Sequence, residues 1–529
     1  MRGDPALVRI GAGAAGAEEF SCAASAAAKV RPGIVPVARM SSAPPQLETF
    51  ALGPVMQALD RIEFDHTSLD TALAEIEQGG KRLHAGLAQF ARHAVRAYLA
   101  GSGPASEPEL QPVQEWWVAQ RIVGRTWELY AWGRRYQSPD GGLREFRFLR
   151  LGTAESRDRD TAQIAIAAFA AAFGSPARWP ARGAWAQPFR LQESAAVARV
   201  RVTDVGLADG SRTVHFDGTP NQAEEYFAAH GRQQIARIAA GGPPRAGGWC
   251  TECKLLAGCA ALPRVTGLLG ITASPSALRT VSVTDLRYHK LCPAQAHLSS
   301  LSLPRLGYGA DARLGHAVHG WLETLHGRDH AGACTAGDMP AVGQSWQCGP
   351  WRVEGDDAMT GAHMLAHHSE VCPLQGDEPV SQVRPEPRLA FYDPGAHAVV
   401  VAKPDLLYAD HGAWVWREVK TTRKRDWPRG DLLEAIPQLA LAVVLLAEGA
   451  LGGVSEGSRV ELELLRPRGA EITLVDPADP QVVTKARELL GRMARPWRED
   501  ELFEAQPGRE CQRCLVSQWC PSFPGAGTE

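Results

Sequence analysis

Asp405, Glu418 and Lys420 are the residues of this sequence best placed by type and spacing to act together. Alternation along Trp414-Val415-Trp416-Arg417-Glu418-Val419-Lys420 sets Trp414, Trp416, Glu418 and Lys420 on one face of a strand. Asp405, in Lys403-Pro404-Asp405, falls on the preceding strand across a short turn, so two carboxylates converge on one cation. Hard oxygen donors of this kind suit magnesium or manganese. Such a cation would polarise a phosphate oxygen and acidify a bound water. Lys420 would orient that water or offset developing charge. His319, on a helix, adds a candidate nitrogen ligand, and His316 reads as its neighbour. Taken alone, Glu-x-Lys on a strand is usually a solvated pair and Asp405 a turn residue. The reading therefore depends on the rest of the constellation.

The eleven cysteines supply part of it. Cys250-x2-Cys253-x5-Cys259 and Cys511-x2-Cys514-x5-Cys520 share both spacings, each after a stretch rich in Pro and Gly. Each also has one distant upstream cysteine, Cys22 and Cys292 respectively. Two thiolates three residues apart grip one metal from a tight turn, and a third nearby reaches the same ion or cluster. An iron–sulfur cluster and zinc both fit this pattern. Cys334, Cys348 and Cys372 lack such spacing and read as ordinary thiols.

The elements that must position these groups recur in two halves. Gly80-x3-His84 pairs with Gly315-x3-His319, each in a helical pattern. Arg144-Glu145-Phe146-Arg147 pairs with Arg417-Glu418-Val419-Lys420, and Gln163 with Gln438 on an Ala/Leu-rich helix. Motif order is the same in both halves, which implies a duplication. The expected organisation is an N-terminal extension (1–17), a first domain (18–260), a linker (261–281) broken by Pro263, Gly267, Gly270 and Pro275, and a second domain (282–525). Runs at Leu389–Tyr392, His397–Tyr408 and Ala413–Thr422 read as a three-stranded meander. The fold class is α/β, each domain a mixed sheet flanked by helices and closed by a four-cysteine metal site.

Pro404-Asp405 followed by Glu418-Val419-Lys420 resembles the signature of the PD-(D/E)XK nucleases. Gly315-x3-His319, Gln438, and Cys292 with Cys511, Cys514 and Cys520 resemble the RecB-like branch. That branch includes the CRISPR-associated exonucleases and the AddB-type repair nucleases. The resemblance covers most of residues 282–525, and the stretch from Thr284 to Pro293 resembles the opening of such domains. It implies a restriction-endonuclease-like fold, with metal binding by His319, Asp405, Glu418 and the Val419 carbonyl. It further implies a catalytic Lys420, Gln438 supporting the site near DNA, an additional acid at Glu386, and a [4Fe-4S] cluster on the four cysteines. The family often has Tyr four residues after the Gln, and here Ala442 stands there, which puts base stacking at that point in doubt. The function so implied is a magnesium- or manganese-dependent DNA nuclease, an exonuclease of DNA repair or of defence against foreign DNA.

The first half reads as a degenerate copy. No Pro-Asp precedes Glu145 at the matching distance, Glu128, 17 residues upstream, being the nearest candidate, and Arg147 replaces the lysine. Arginine keeps its proton and presents a rigid fork, so it does not substitute for a catalytic lysine. Cys22, Cys250, Cys253 and Cys259 would keep a metal clasp, iron–sulfur or zinc. The arginines of Arg144–Arg150 read either as nucleic-acid contacts or as a salt-bridged strand. Arg423, Lys424, Arg425 and Arg429, after the strand carrying Lys420, read as a solvated loop or a phosphate grip.

Composition narrows the field. The chain has 529 residues, 45% hydrophobic and 22% charged, with a formal net charge of -3. These values fit a soluble globular protein of several domains and exclude a basic nucleic-acid coat. The longest apolar run, Ile164–Phe173, is about half the span of a bilayer. Acids at Asp4, Glu18 and Glu19 interrupt any signal-peptide core, so a cytoplasmic location without disulfides is expected. Gly11-Ala-Gly13-Ala-Ala-Gly16 matches a dinucleotide fingerprint, but no acid lies between Glu19 and Glu48 to bind a ribose. No phosphate loop G-x4-G-K-[ST] occurs, so an unwinding motor or defence-complex partner would be a separate protein. The competing readings are an inactive DNA-binding scaffold and a zinc-stabilised interaction protein.

Overall fold

Runs rich in Val, Ile, Trp and Tyr, bounded by Gly, Pro and Asp turns, become strands, and the Ala/Leu-rich stretches become helices. The computed structural model describes all residues except 17–21, 37–45, 79–80, 102–108, 179–183, 273–276, 329–331, 376–379 and 524–529. Gly80, Pro275 and the expected domain ends at 18 and 525 lie outside the described residues. The protein is mixed α/β. It divides into two compact units, one of residues 1–261, 294–305 and 501–529, the other of residues 262–293 and 306–500. Among the described residues no helix is long and apolar enough to cross a membrane.

The first unit has strands β1 (Leu7–Gly11), β2 (Gln111–Pro112), β3 (Trp116–Val123), β4 (Arg125–Tyr130), β5 (Arg134–Gln137), β6 (Leu143–Arg150), β7 (Ser175–Ala177), β8 (Arg199–Gly206) and β9 (Arg212–Gly218). One sheet runs β9-β8-β6-β5-β2, and a smaller one β1-β4-β3-β7. Helices α1 (Leu52–Glu63) and α2 (Ala85–Ala100) pack as a helical layer with Leu298, Leu301, Val516 and Trp519. Helix α3 (Thr161–Phe173), capped by the Asp160 carboxylate, is buried on nearly all sides.

The second unit has strands β10 (Arg279–Ser282), β11 (Ser381–Pro385), β12 (Leu389–Asp393), β13 (Ala398–Ala402), β14 (Leu406–Asp410), β15 (Ala413–Thr421), β16 (Val454–Arg466) and β17 (Gly469–Val475). Its sheets run β11-β14-β15-β16-β17 and β10-β13-β12. The helices used below are α4 (Val283–Leu291), α5 (Ala310–His326), α6 (Gly355–Val371), α7 (Pro437–Ala447) and α8 (Pro480–Glu499). Leu314, Ala317, Val318 and Leu322 of α5 and Leu365 of α6 pack against Val419 of β15 and Leu465 of β16. Residues from 262 to 271 are packed too, since the buried Asp393 carboxylate accepts the Gly267 and Leu269 N–H groups at 3.0 and 2.8 Å.

The two five-stranded sheets have one topology. In each, the central pair (β6/β8 and β15/β16) is parallel and every other neighbouring pair antiparallel. In each, the Gln-bearing helix, α3 or α7, lies in the chain between the two parallel strands. The smaller sheets also share a parallel pair (β1/β4 and β10/β13) flanked by an antiparallel one.

The expected meander is corrected at one point. The run His397–Tyr408 is two strands in two sheets, β13 and β14. Pro404 has no N–H to give a ladder, so the chain leaves one sheet there and enters the next. Asp405 sits at that crossing, immediately before β14.

Candidate active site

Leu406 pairs with Arg417, so continuing the register by one residue sets Asp405 opposite Glu418. Alternation then separates the two faces of β15. Arg417 and Val419 point toward α5 and α6, where Val419 packs in their core and Arg417 donates to the Val371 carbonyl. Trp416, Glu418 and Lys420 share the other face, and the Trp416 indole N–H donates to Glu418 Oε1 at 3.0 Å.

The Lys420 ammonium gathers three oxygens: Glu418 Oε2 at 2.8 Å, the Val419 carbonyl at 2.9 Å and Asp405 Oδ2 at 3.2 Å. The Val419 N–H donates to Asp405 Oδ2 at 2.7 Å, and His319 Nδ1 lies 3.0 Å from Asp405 Oδ1. Two carboxylates and a carbonyl thus surround the Lys420 ammonium, a point that already favours positive charge, and the imidazole meets Asp405 on its other oxygen. This donor set fits magnesium or manganese. Glu386 is present as well, since His319, Glu386 and Asp405 hold ligand atoms within 4.8 Å of one another. Glu386 adopts a left-handed φ of 44°, donates its N–H to the Asp405 carbonyl at 3.1 Å and pairs with Lys403. Backbone in that region costs energy in a non-glycine residue and concentrates at functional sites.

Electrostatics splits the two acids. Burial pushes the Glu418 carboxyl up, and Asp405 adds to this while Lys420 opposes it. Burial also pushes Asp405 up, but Lys420 and His319 outweigh it and hold its carboxyl well below the usual range. Burial opposes charge on Lys420, yet Asp405 and Glu418 raise it. The charged ammonium so favoured can donate hydrogen bonds and offset negative charge. Burial likewise opposes charge on His319, and Asp405 raises it. Glu323, on α5, is raised by burial and by Glu386.

Other residues singled out in the sequence fall as follows. Gln438 is the second residue of α7, and its Oε1 is buried with no hydrogen-bond partner among the described residues. His316 stacks on Trp351 with ring centres 5.0 Å apart and Tyr308 edge-on beside both. Arg423 pairs with Asp357 and Asp311, and Arg429 with Asp426. The triplets fold alike: Gly247 N–H donates to Cys250 Sγ and Gly508 N–H to Cys511 Sγ, each at 3.3 Å, and each x5 spacer holds a second short 3-10 turn. Burial raises the Cys250 thiol, and Cys253, Cys259 and Cys22 act on it as close neighbours. Cys22 Sγ and Cys253 Sγ accept the N–H groups of Arg245 and Leu255 at 3.3 Å. Cys292 ends α4, its N–H bonded to the Tyr288 carbonyl at 2.8 Å.

The matching place in the first unit is closed by its own charges. Tyr136, not an acid, stands opposite Glu145. Glu145 is held by Arg147 at 2.5 Å and Arg201 at 3.3 Å. Arg147 covers the Tyr136 ring at 3.9 Å, and Tyr98 of α2 meets the Tyr136 hydroxyl at 2.6 Å. His84 does not take the place of His319. It caps α2 instead, its Nδ1 accepting the Gly86 N–H at 3.0 Å. Glu128 is buried against Arg9. The reading of Arg144–Arg150 as nucleic-acid contacts is overturned. Arg144 and Arg147 are buried, Arg144 donates to the Ala171 and Gly174 carbonyls, and Arg150 pairs with Asp204.

The structure brings Cys334 and Cys372, which read as ordinary thiols in the sequence, into one group. They join His326 and His368 in a buried four-residue group whose ligand atoms lie within 4.8 Å of one another. His368 and Cys372 stand four residues apart across the end of α6, a spacing that puts both on one side and was the signal available in the sequence.

No curated protein matches the chain. The family model of the PD-(D/E)XK nuclease superfamily matches residues 280–521, the stretch that carries Asp405, Glu418 and Lys420. Residues 280–521 are a PD-(D/E)XK nuclease superfamily domain.

Proposed function

We propose that this protein is a metal-dependent deoxyribonuclease of the RecB-like type, an exonuclease acting on single-stranded or duplex DNA ends in repair or in defence against foreign DNA. One observation carries the reading: Asp405, Glu418 and the Val419 carbonyl converge on a single cationic centre, the Lys420 ammonium. Asp405, Glu418, His319 and the Val419 carbonyl would hold magnesium or manganese, which supplies Lewis acidity toward a phosphate oxygen and a water. Trp416 and the Val419 N–H fix the carboxylates before substrate arrives, so little reorganisation is left for the reaction. Lys420 donates toward the scissile phosphate and compensates its charge. Gln438 would support the site near the DNA. A separate helicase or defence-complex partner would deliver the DNA. The first half is a degenerate copy of the second, a reading supported by the shared sheet topology and the like-folded triplets.

The test is cleavage of single- and double-stranded DNA with manganese or magnesium, wild type beside Lys420→Ala. The variant is expected to lose about 10²–10³-fold in rate and to keep DNA binding. A wild type that binds DNA without cutting it under any of these conditions would identify a scaffold instead.

Cys292, Cys511, Cys514 and Cys520 would hold a [4Fe-4S] cluster, and Cys22, Cys250, Cys253 and Cys259 a second metal group, iron–sulfur or zinc. The reading rests on the repeated spacing and on the N–H groups donated to the sulfurs, a feature that tunes such centres. Anaerobically purified protein is expected to be brown. Cys511→Ser should bleach it and lower its melting temperature, because metal binding of this kind is coupled to folding. A colourless protein whose melting does not change in Cys511→Ser would overturn the assignment.

A further inference from the structure

Four buried side chains in the second unit form a group that the nuclease reading does not use. His326 is the last residue of α5, His368 lies in the last turn of α6, Cys372 follows α6, and Cys334 lies in the segment between the two helices. All four are at most 5% exposed. The two histidine Nε2 atoms face each other at 3.2 Å, Cys372 Sγ lies 3.9 Å from His326 Nε2, and all four ligand atoms lie within 4.8 Å of one another. Zinc bonds of about 2.0–2.1 Å to nitrogen and 2.3 Å to sulfur give tetrahedral edges of roughly 3.3–3.8 Å. The two measured edges fall close to that range.

We propose that His326, Cys334, His368 and Cys372 bind one structural zinc ion. The surrounding groups favour this over chance packing. His368 Nδ1 is bonded to Glu463, whose side chain is fully buried, so Nε2 is the nitrogen left for a metal. A carboxylate on the distal nitrogen fixes the tautomer and orientation of a ligating histidine. Glu463 is in turn held by Arg417 at 3.1 Å. Two thiolates balance the charge of the ion, and four protein donors leave no open coordination position, as in structural sites. A mixed nitrogen–sulfur shell selects zinc over the hard cations that suit Asp405 and Glu418. The ion joins the ends of α5 and α6. Helix α5 carries His319 two turns before His326, so the clasp holds the helix that delivers that histidine to Asp405.

The experiment is metal analysis of the purified full-length chain beside Cys372→Ala and His368→Cys. Wild type is expected to retain this zinc through dialysis against chelator. Cys372→Ala should hold one equivalent less and melt earlier, whereas His368→Cys, which restores a fourth donor, should keep the metal. If the alanine variant does not fold, crystals of wild type measured at the zinc absorption edge decide the matter, with an anomalous peak expected among the four side chains. An equal zinc content in wild type and Cys372→Ala, no such peak, or a Cys334–Cys372 disulfide found by peptide mapping would overturn the site.

Discussion

Asp405→Ala is expected to lower DNA cleavage by about 10³-fold or more, since one charged group here serves several interactions at once. Oδ1 faces His319, while Oδ2 takes both the Val419 N–H and the Lys420 ammonium. Without it, Glu418 on β15 and Glu386 beside His319 remain, and burial already pushes the Glu418 carboxyl toward its neutral form. Two effects follow, a weaker divalent ion and a Lys420 drawn to Glu418 alone. Asp405→Asn separates them. It keeps the shape and one acceptor but removes the charge, so raising manganese should recover part of its activity and little of the alanine variant's. DNA binding and melting should change little in the asparagine variant. Cleavage within threefold of wild type in both variants, at saturating metal, would remove Asp405 from the site and the nuclease proposal with it.

Part of the candidate site was legible because Glu418 and Lys420 lie on one strand with a period of two. Placing Glu418 and Lys420 together needs only alternation, and Pro404 marks where the chain turns to bring in Asp405. The sequence did not show that Pro404 also moves the chain from one sheet to another, since apolar residues continue on both sides of it. Helix register was harder. Alanine-rich α2 offers no unique face, so His84 was paired with His319, while Tyr98 is the α2 side chain that reaches the closed site. Charge was visible for Arg144 and Arg147 but burial was not, because a buried arginine looks like a surface one until its acceptors are known. Only the His368–Cys372 spacing marks this group in the sequence, and Cys334 is hidden because its partners His326 and His368 come from two different helices. Spacing rules work for ligands in one turn and fail for ligands that tertiary packing assembles.

Arg417→Ala is expected to destabilise the second unit by about 3–5 kcal/mol, the cost of breaking a buried ion network by removing one partner. Arg417 precedes Glu418 in sequence but faces the opposite side of β15. It pairs with Glu461 at 2.6 Å and Glu463 at 3.1 Å and donates to the Val371 carbonyl at 2.9 Å. Tyr408 adds a bond to Glu461 at 3.0 Å. Alanine would take the shared cation from two buried carboxylates, leaving Glu461 with Arg459 and Tyr408 and Glu463 with His368, the charge of each less compensated than before. Arg417→Met combined with Glu461→Gln should recover part of the loss, because volume is kept and one stranded charge is gone. The coupling is read from a double-mutant cycle in denaturant. Below the melting transition, folded Arg417→Ala should still cut DNA within about tenfold of wild type, since Glu418 and Lys420 keep their partners on the other face. A variant that melts like wild type but fails to cut would place Arg417 in the chemistry itself and contradict the separation of the two faces.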